Sequence, residues 1–174
     1  MAENVVKLEA TPFTGGYVYS QDQHVGTVGP HIHVALTNPV GSGRIILLSG
    51  VFISSVAASA TTTLDPMRGW FATNVSGGTL VAAADIGKIR TTMPNPVGEI
   101  RIEGATATLG ASWFNSPPIL ATGAAAPGFI HQIPTTIQAG SLTLLPGEST
   151  VLRTADGDTD QRWNISIAWV ETYA

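Results

Sequence analysis

The chain contains no cysteine. Disulfide bonds, thiolate nucleophiles and cysteine-ligated zinc are therefore excluded. Charged residues are also scarce, at 11% of the sequence, whereas an average soluble domain carries about a quarter. Hydrophobic residues still reach 44%, which argues against intrinsic disorder. A chain so poor in charge indicates that other copies or other proteins cover part of its surface.

Basic residues are few and never clustered. Eight Lys and Arg stand against twelve Asp and Glu, which gives a net charge of −4. Proteins that bind nucleic acid need clustered Lys and Arg to follow the phosphates, so we expect no nucleic-acid partner. The same shortage argues against a membrane surface as partner.

Long apolar runs are missing as well. No window approaches the roughly 18 uninterrupted apolar residues of a membrane-spanning helix. The first residues, MAENVVKLEA, combine neither a basic stretch nor a long apolar one, so we predict no signal peptide and synthesis in a cytoplasm. A length of 174 residues suits one domain around one core.

What the sequence has in abundance is short strand-like segments separated by turns. Its 19 glycines and 11 prolines punctuate eight or more such segments. This spacing predicts an all-β fold, a β-sandwich or jelly-roll-like antiparallel barrel with little or no helix. Only Leu80–Ala84 has helical character. We predict one sandwich domain over residues 31–174 and an N-terminal arm or extended segment over residues 1–30.

The segment from residue 31 to 37, HIHVALT, alternates polar and apolar residues, which predicts a half-buried strand with Ile32, Val34 and Leu36 on one face. His31 and His33 then share the opposite face. Two imidazoles in this arrangement bind zinc if a third ligand joins them. His24 and His131 are available, but no spacing favours either. A polar strand face explains the pair equally well, so we assign no metal there.

Asp156, Asp158 and Asp160 place three carboxylates at alternate positions, and calcium prefers such oxygen ligands. An EF-hand loop, however, has glycine after its third acid and a glutamate at its end. Here glycine follows the first acid, and Ile167 occupies the late position. We therefore interpret this stretch as a solvated turn and predict no cofactor.

Signatures of catalysis are missing. The sequence has no Gly-x-Ser-x-Gly nucleophile motif and no Gly-x-x-x-x-Gly-Lys-Ser/Thr phosphate loop. Its acidic residues offer no distinguished pair for glycoside hydrolysis. Trp163 and Trp169 fall on the apolar face of a strand, which favours packing over sugar stacking. We predict that the protein is not an enzyme.

The stretch Arg44–Ile53 is apolar on both faces, and Ser49-Gly50 in its middle predicts a bulge or a close backbone approach. Such a strand must be covered on both sides, in a sandwich or at a subunit interface. The candidate interface residues are Ile45, Leu47, Val51 and Phe52, together with Trp113 and Phe114. For the last two, beside the Pro117-Pro118 loop, burial under that loop is the alternative.

Three features together resemble small β-sandwich structural proteins of tailed bacteriophages. They are Asn38-Pro-Val-Gly-Ser-Gly43 before the apolar strand, the Ser/Ala/Thr-rich residues 54–63, and Leu144-Leu-Pro-Gly-Glu-Ser-Thr-Val-Leu152 before an alternating C-terminal strand. The resemblance implies a non-enzymatic virion component, most often a capsid decoration (cement) protein. It also implies a homotrimer that contacts the major capsid protein, made in the host cytoplasm and located in the virion.

Two other functions stay open. One is a tail, collar or fibre component that binds a receptor or a glycan, which an exposed surface rich in Trp, Tyr and Asn would favour. The other is a small carbohydrate-binding β-sandwich module or enzyme. A deep pocket with converging acids would favour it.

Overall fold

The computed structural model describes residues 13–25, 29–57, 62–64, 67–115, 119–121, 130–134, 142–157 and 162–174. They form twelve strands and one 3-10 helix, Ala83–Asp85, which overlaps the stretch with helical character in the sequence. The strands are β1 (Phe13–Val25), β2 (Gly29–Thr37), β3 (Arg44–Ala57), β4 (Thr62–Leu64), β5 (Arg68–Leu80), β6 (Gly87–Lys88), β7 (Glu99–Asn115), β8 (Ile119–Ala121), β9 (Ile130–Pro134), β10 (Thr143–Leu144), β11 (Ser149–Gly157) and β12 (Arg162–Tyr173).

The strands form two main antiparallel sheets. The first has six strands in the order β10-β3-β12-β1-β6, with β9 also paired to β3. In the second, β11, β2, β7 and β5 close on themselves. A separate two-stranded ribbon joins β4 to β8. The predicted all-β sandwich is confirmed.

The main core lies between the two sheets, because both supply its buried side chains. Strand β12 alternates without interruption, and its inward residues Trp163, Ile165, Ile167 and Trp169 are buried. A smaller cluster draws on all four strands of the closed sheet, and its buried members are Ile32, Ala35, Ala72, Ala105 and Val151. The predicted packing role of the two tryptophans is confirmed.

Strand β1 changes the predicted domain boundary. It pairs with β12 over most of its length and with β6 at Tyr17 and Val18. Residues 13–25 therefore belong to the sandwich rather than to an arm. Tyr17 and Tyr19 bury their rings in the main core. Residues 1–12, the rest of the predicted arm, lie outside the described residues.

Strand β2 departs from the alternation that its sequence predicts. Between Ile32 and Val34 the register moves two residues along β2 but only one along β11, so His33 is the extra residue of a bulge. As a result Ile32 joins Ala35 in the smaller cluster, whereas Val34 and Leu36 stay in the main core. The prediction that all three apolar residues share one face is wrong.

Strand β3 contains the predicted bulge. Its register moves from Leu48 to Gly50 while β12 moves only from Trp169 to Ala168, which leaves Ser49 as the extra residue. The extra residue exchanges the two faces of the strand. Before the bulge the even-numbered residues point into the core, and after it the odd-numbered ones do.

This exchange corrects one predicted interface residue. Val51 is fully buried in the main core, so its side chain is not available to a second chain. Ile45 and Leu47 are half-buried on the opposite face, and Phe52 is exposed there. The two-faced apolar strand is therefore covered on one side by the other sheet.

Two turns meet at one end of the sandwich. The buried Asn38 side chain donates to the carbonyls of Arg44 and Leu144, at 2.8 Å each. The Gly147 N–H donates to the Asn38 carbonyl at 2.7 Å. Gly41 and Gly147 adopt φ of 73° and 92°, a conformation that suits glycine. The Asn-Pro-Val-Gly and Pro-Gly-Glu motifs thus form one hydrogen-bonded corner.

Candidate functional site

Three histidines form a cluster at the other end of the sandwich. His24 lies on β1, and His31 and His33 lie on β2. The ring centroids of His31 and His33 are 4.7 Å apart, and those of His24 and His33 are 6.2 Å apart, with nearly perpendicular planes in both pairs. His24 and His33 are 0% exposed and His31 is 9% exposed. We call these three residues the histidine cluster.

Two ladder irregularities bring the histidine cluster together. Between Gln21 and His24, β1 advances three residues while β12 advances two, so β1 carries an extra residue and His24 faces inward. In β2, the bulge likewise adds one residue, His33, and changes the direction of its side chain. Bulges re-aim side chains in this way and are frequent beside functional sites.

Hydrogen bonds satisfy only part of this cluster. Nε2 of His33 lies 3.1 Å from the Thr154 hydroxyl of β11. Nδ1 of His33 and both ring nitrogens of His24 are buried and have no hydrogen-bond partner among the described residues. The indole nitrogen of Trp163, which is the register partner of His24, is in the same situation. Buried polar atoms are normally paired, so these four call for an explanation.

Burial keeps these imidazoles neutral. Desolvation lowers the pKa of His24 to about 4, against a partial opposing effect of Glu103. Desolvation, reinforced by the neighbouring imidazoles, lowers the pKa of His33 to about 3. Desolvation also lowers the pKa of His31. At pH 7 the protein therefore holds three uncharged imidazoles at one corner.

A carboxylate on β7 lies near this cluster. Glu103 has φ of 57°, one of two positive values among the described non-glycine residues. Its carboxylate accepts a hydrogen bond from the Gln21 amide at 3.5 Å, and the Tyr19 hydroxyl donates to the Gln21 side-chain oxygen. Burial, followed by Glu103, raises the pKa of Tyr19 to about 12. Glu103 is thus connected to β1 through side chains.

Metal binding finds no geometric support in the described part of the chain. No group of three or more His, Cys, Asp or Glu residues there is arranged to hold a metal ion. His131 lies on β9, but its side chain is outside the described residues, as are Asp158, Asp160 and the side chain of Asp156. The interpretation of that stretch as a solvated turn without calcium stays a prediction.

The outward face of the six-stranded sheet has an uncharged central region. Three registered rows cross β1, β12 and β3 there, on the side opposite the core. None of their side chains is charged, and Val18 and Phe52 are 39% and 41% exposed. The rows are Gly16, Val170 and Leu47; Val18, Ala168 and Gly50; and Ser20, Ser166 and Phe52. We call these nine residues the outer sheet face.

Trp113 and Phe114 are held by the chain itself. Both are half-buried, pack against the main core, and have ring centroids 5.9 Å apart. The Trp113 indole donates to the Thr150 hydroxyl at 2.9 Å. Its ring lies over Gly69, where a Cβ would come within 2.5 Å of it. The structure therefore gives Trp113 an intramolecular packing role, while residues 116–118 lie outside the described residues.

A groove beside β5 and β7 has a cavity volume of about 530 Å³. It combines an aromatic and an aliphatic side chain with hydroxyl groups and one carboxylate. The side chains that matter here are Phe71, Thr73, Thr108, Leu109, Thr143 and Glu148. No sequence motif points to these residues, because they come from three distant segments. Cavities of this size accommodate small organic ligands.

The comparisons with known proteins give no family. No protein-family model matches the chain, and no curated protein matches it significantly. Within the described residues, no helix has the length and apolar character needed to cross a membrane.

Proposed function

We propose that the chain is a non-enzymatic structural protein of a virion, and more specifically a capsid decoration protein of a tailed bacteriophage. The outer sheet face is the observation that carries this proposal. The resemblance of the turn and strand motifs to phage β-sandwich proteins supplies the class. The proposed partners are further copies of the chain, in a trimer, and the major capsid protein.

The physical argument starts from charge. Interface cores are depleted in charged residues, because each buried charge needs a partner to offset its desolvation. The outer sheet face spans three strands without a charge, and its side chains are small or apolar. A second protein can cover such a face without isolating any ion. Flat packing over neighbouring subunits is how a shell protein gains stability.

A matched pair of substitutions tests the proposal. Phe52→Asp places a carboxylate on the outer sheet face, whereas Val40→Asp places one at an exposed apolar position in the Asn38–Gly43 turn. Light scattering after size exclusion measures the oligomer, and co-sedimentation with phage heads lacking the protein measures binding. We expect wild type and Val40→Asp to form trimers that bind heads, and Phe52→Asp to lose both properties. The proposal would be overturned if the wild-type protein were a monomer and did not bind to phage heads.

A receptor- or glycan-binding role in a tail, collar or fibre is the second candidate, and the groove favours it. Hydroxyl groups, the Glu148 carboxylate and the Phe71 ring are the kinds of groups that contact sugars. A glycan array would test this role, with Thr108→Trp as the variant that fills the groove. Glycan binding lost in that variant, combined with no binding to heads, would favour the second candidate, including a carbohydrate-binding module.

A further inference from the structure

We propose that the histidine cluster is an acid-sensitive latch that holds the end of β1 against β2, and that protonation of His24, His31 and His33 releases it. This inference does not rest on the proposed virion function, because it concerns only the fold. Its consequence is a local opening of residues 21–25 under mildly acidic conditions.

The geometry argues that the cluster is built rather than incidental. A bulge in β1 turns His24 inward, and a bulge in β2 places His33 beside it. Glu103 on β7, whose carboxylate acts on His24 and His31, adopts a left-handed backbone conformation. Each irregularity departs from the regular ladder, and a non-glycine residue at positive φ carries strain. The two bulges and the positive φ of Glu103, on three different strands, thus all bear on the histidine cluster.

The groups that face the cluster offer little support for a positive charge. Beside the histidines themselves, β11 presents the Thr154 hydroxyl, β12 the Trp163 indole and β7 the Glu103 carboxylate, which also acts on the Tyr19 phenol of β1. Strand β2 carries no other charged residue. Glu103 is exposed and is the carboxylate that acts on His24 and His31 among the described residues.

A protonated imidazole has two N–H donors and needs two acceptors. Within the part of the chain that the structure describes, neither nitrogen of His24 has an acceptor, and His33 has only the Thr154 hydroxyl. A charge on one ring would also repel a charge on the next, since the ring centroids are 4.7 and 6.2 Å apart. The closed latch therefore resists protonation.

The sign of the pH effect follows from this resistance. An opened, hydrated histidine has a pKa near 6.5, whereas burial lowers that of His24 to about 4 and that of His33 to about 3. Between these values the open state binds more protons than the closed state, so falling pH favours opening. The shift of the equilibrium towards the open state begins below pH 6.5. It stops growing once the pH falls to the pKa values of the closed state, because the closed state then binds protons as well.

The end of β1 is the element free to move. Among the described residues, β6 pairs only with Tyr17 and Val18, so residues 21–25 are paired with β12 alone. At its histidine end, strand β2 is paired with β11 alone among the described strands, but the residues that follow directly, 34–37, are paired on both sides by β11 and β7 and anchor the strand. Protonation should therefore displace β1 and leave β2 in its sheet.

Hydrogen exchange on the full-length protein tests the latch. Amide protection is measured by mass spectrometry at pH 7.5 and pH 5.0 and corrected for intrinsic exchange rates. For one imidazole with these pKa values, opening should become about 30-fold more favourable at pH 5.0. Because more than one imidazole takes up a proton, we expect a loss of protection of at least that size in residues 21–25, with the middle of β12 unchanged. An equal loss in every strand, or no loss in residues 21–25, would overturn the proposal.

Two variants make the test specific. His24→Phe keeps an aromatic ring but has no nitrogen to protonate, so the pH effect should shrink by about 30-fold. His131→Gln removes the only histidine outside the cluster and should leave the pH effect unchanged. The reverse result, with His131→Gln removing the effect and His24→Phe retaining it, would refute the latch.

Imidazole NMR on the wild-type protein gives a readout that does not depend on a variant folding. We expect His24 and His33 to stay neutral down to pH 5 in the closed state. Titration of either ring near pH 6.5 without any opening would contradict the proposal. A change in these signals on adding EDTA would also contradict it, because the unpaired nitrogens would then be metal ligands.

Discussion

The middle of the six-stranded sheet and the histidine corner are built on opposite principles. Strand β12 buries every second side chain without a break, from Trp163 to Glu171. The corner uses two bulges and buries three titratable rings with unpaired nitrogens. Between Trp163 and Val170 the first region has no titratable side chain, whereas the latch makes the second stable only while its imidazoles are neutral. The regular alternation of β12 stabilises the sheet at any protonation state of the histidines, whereas the stability of the bulged corner depends on pH.

The largest expected effect comes from breaking the regular region. Trp169 is fully buried, and its ring centroid lies 5.8 Å from that of Tyr17 in a tilted arrangement. Its indole donates to Glu171 at 3.1 Å. Trp169→Ala should lower the free energy of unfolding by about 3–5 kcal/mol, because it leaves a large cavity. Urea denaturation at pH 7.5 measures the loss. Val40→Ala, at an 88% exposed position, is the control and should change stability by less than about 0.5 kcal/mol.

Acid should distinguish the two regions next. From pH 7.5 to pH 5.0, the lowered pKa of His24, about 4, should make wild type lose about 2 kcal/mol more than His24→Phe. The unfolded state binds that proton and the folded state does not, so the loss grows as pH falls. Urea denaturation of both proteins at both pH values gives the difference. Parallel losses would mean that His24 does not titrate on unfolding.

A smaller effect is expected at the one buried carboxylate of β12. Glu171 accepts hydrogen bonds from the N–H groups of Val97 and Gly98, at 3.0 and 2.8 Å, and from the Trp169 indole. Glu171→Gln presents an amide to these donors and should cost about 1–3 kcal/mol. Thermal and urea denaturation measure it. Glu99→Gln, at a half-buried position of β7, makes the matched control, and an equal loss there would show that charge rather than hydrogen bonding matters.

The smallest effect is expected on the outer sheet face. The Ser20 and Ser166 hydroxyls lie 2.6 Å apart and are exposed. Ser166→Ala removes this bond but adds no charge, so it should change the free energy of unfolding by less than about 1 kcal/mol. The oligomer should persist as well. Loss of the oligomer in Ser166→Ala would show that this bond, and not the lack of charge, governs association.

The sequence predicted the regular region well. The strict alternation of β12 can be recognised in the sequence without knowing which strands pair with it. The bulge in β3 was predictable because glycine in the Ser49-Gly50 pair is typical of such irregularities. Strand β1 was predicted only as part of an N-terminal arm or extended segment, and its pairing with β12 was not predicted. In the structure Gly15 makes room for the Tyr17 ring, which a Cβ there would meet at 2.6 Å or less.

The histidine corner was only half predictable. The pairing of His31 with His33 follows from their spacing, but the choice of His24 over His131 does not. Contacts between strands depend on register, and the β1 and β2 bulges change that register without any glycine or proline to mark them. The outer sheet face also requires the register, since its three rows combine residues that are far apart in sequence.

The closed second sheet has a consequence for how the chain comes apart. A strand in an open sheet can unzip from an end, but β11, β2, β7 and β5 form a ring without a first or last member. Removing any of them ruptures two ladders together, which raises the barrier to the first step. The ring should therefore be the last structure to dissolve and the scaffold on which a disrupted β1 re-forms when acid is neutralised.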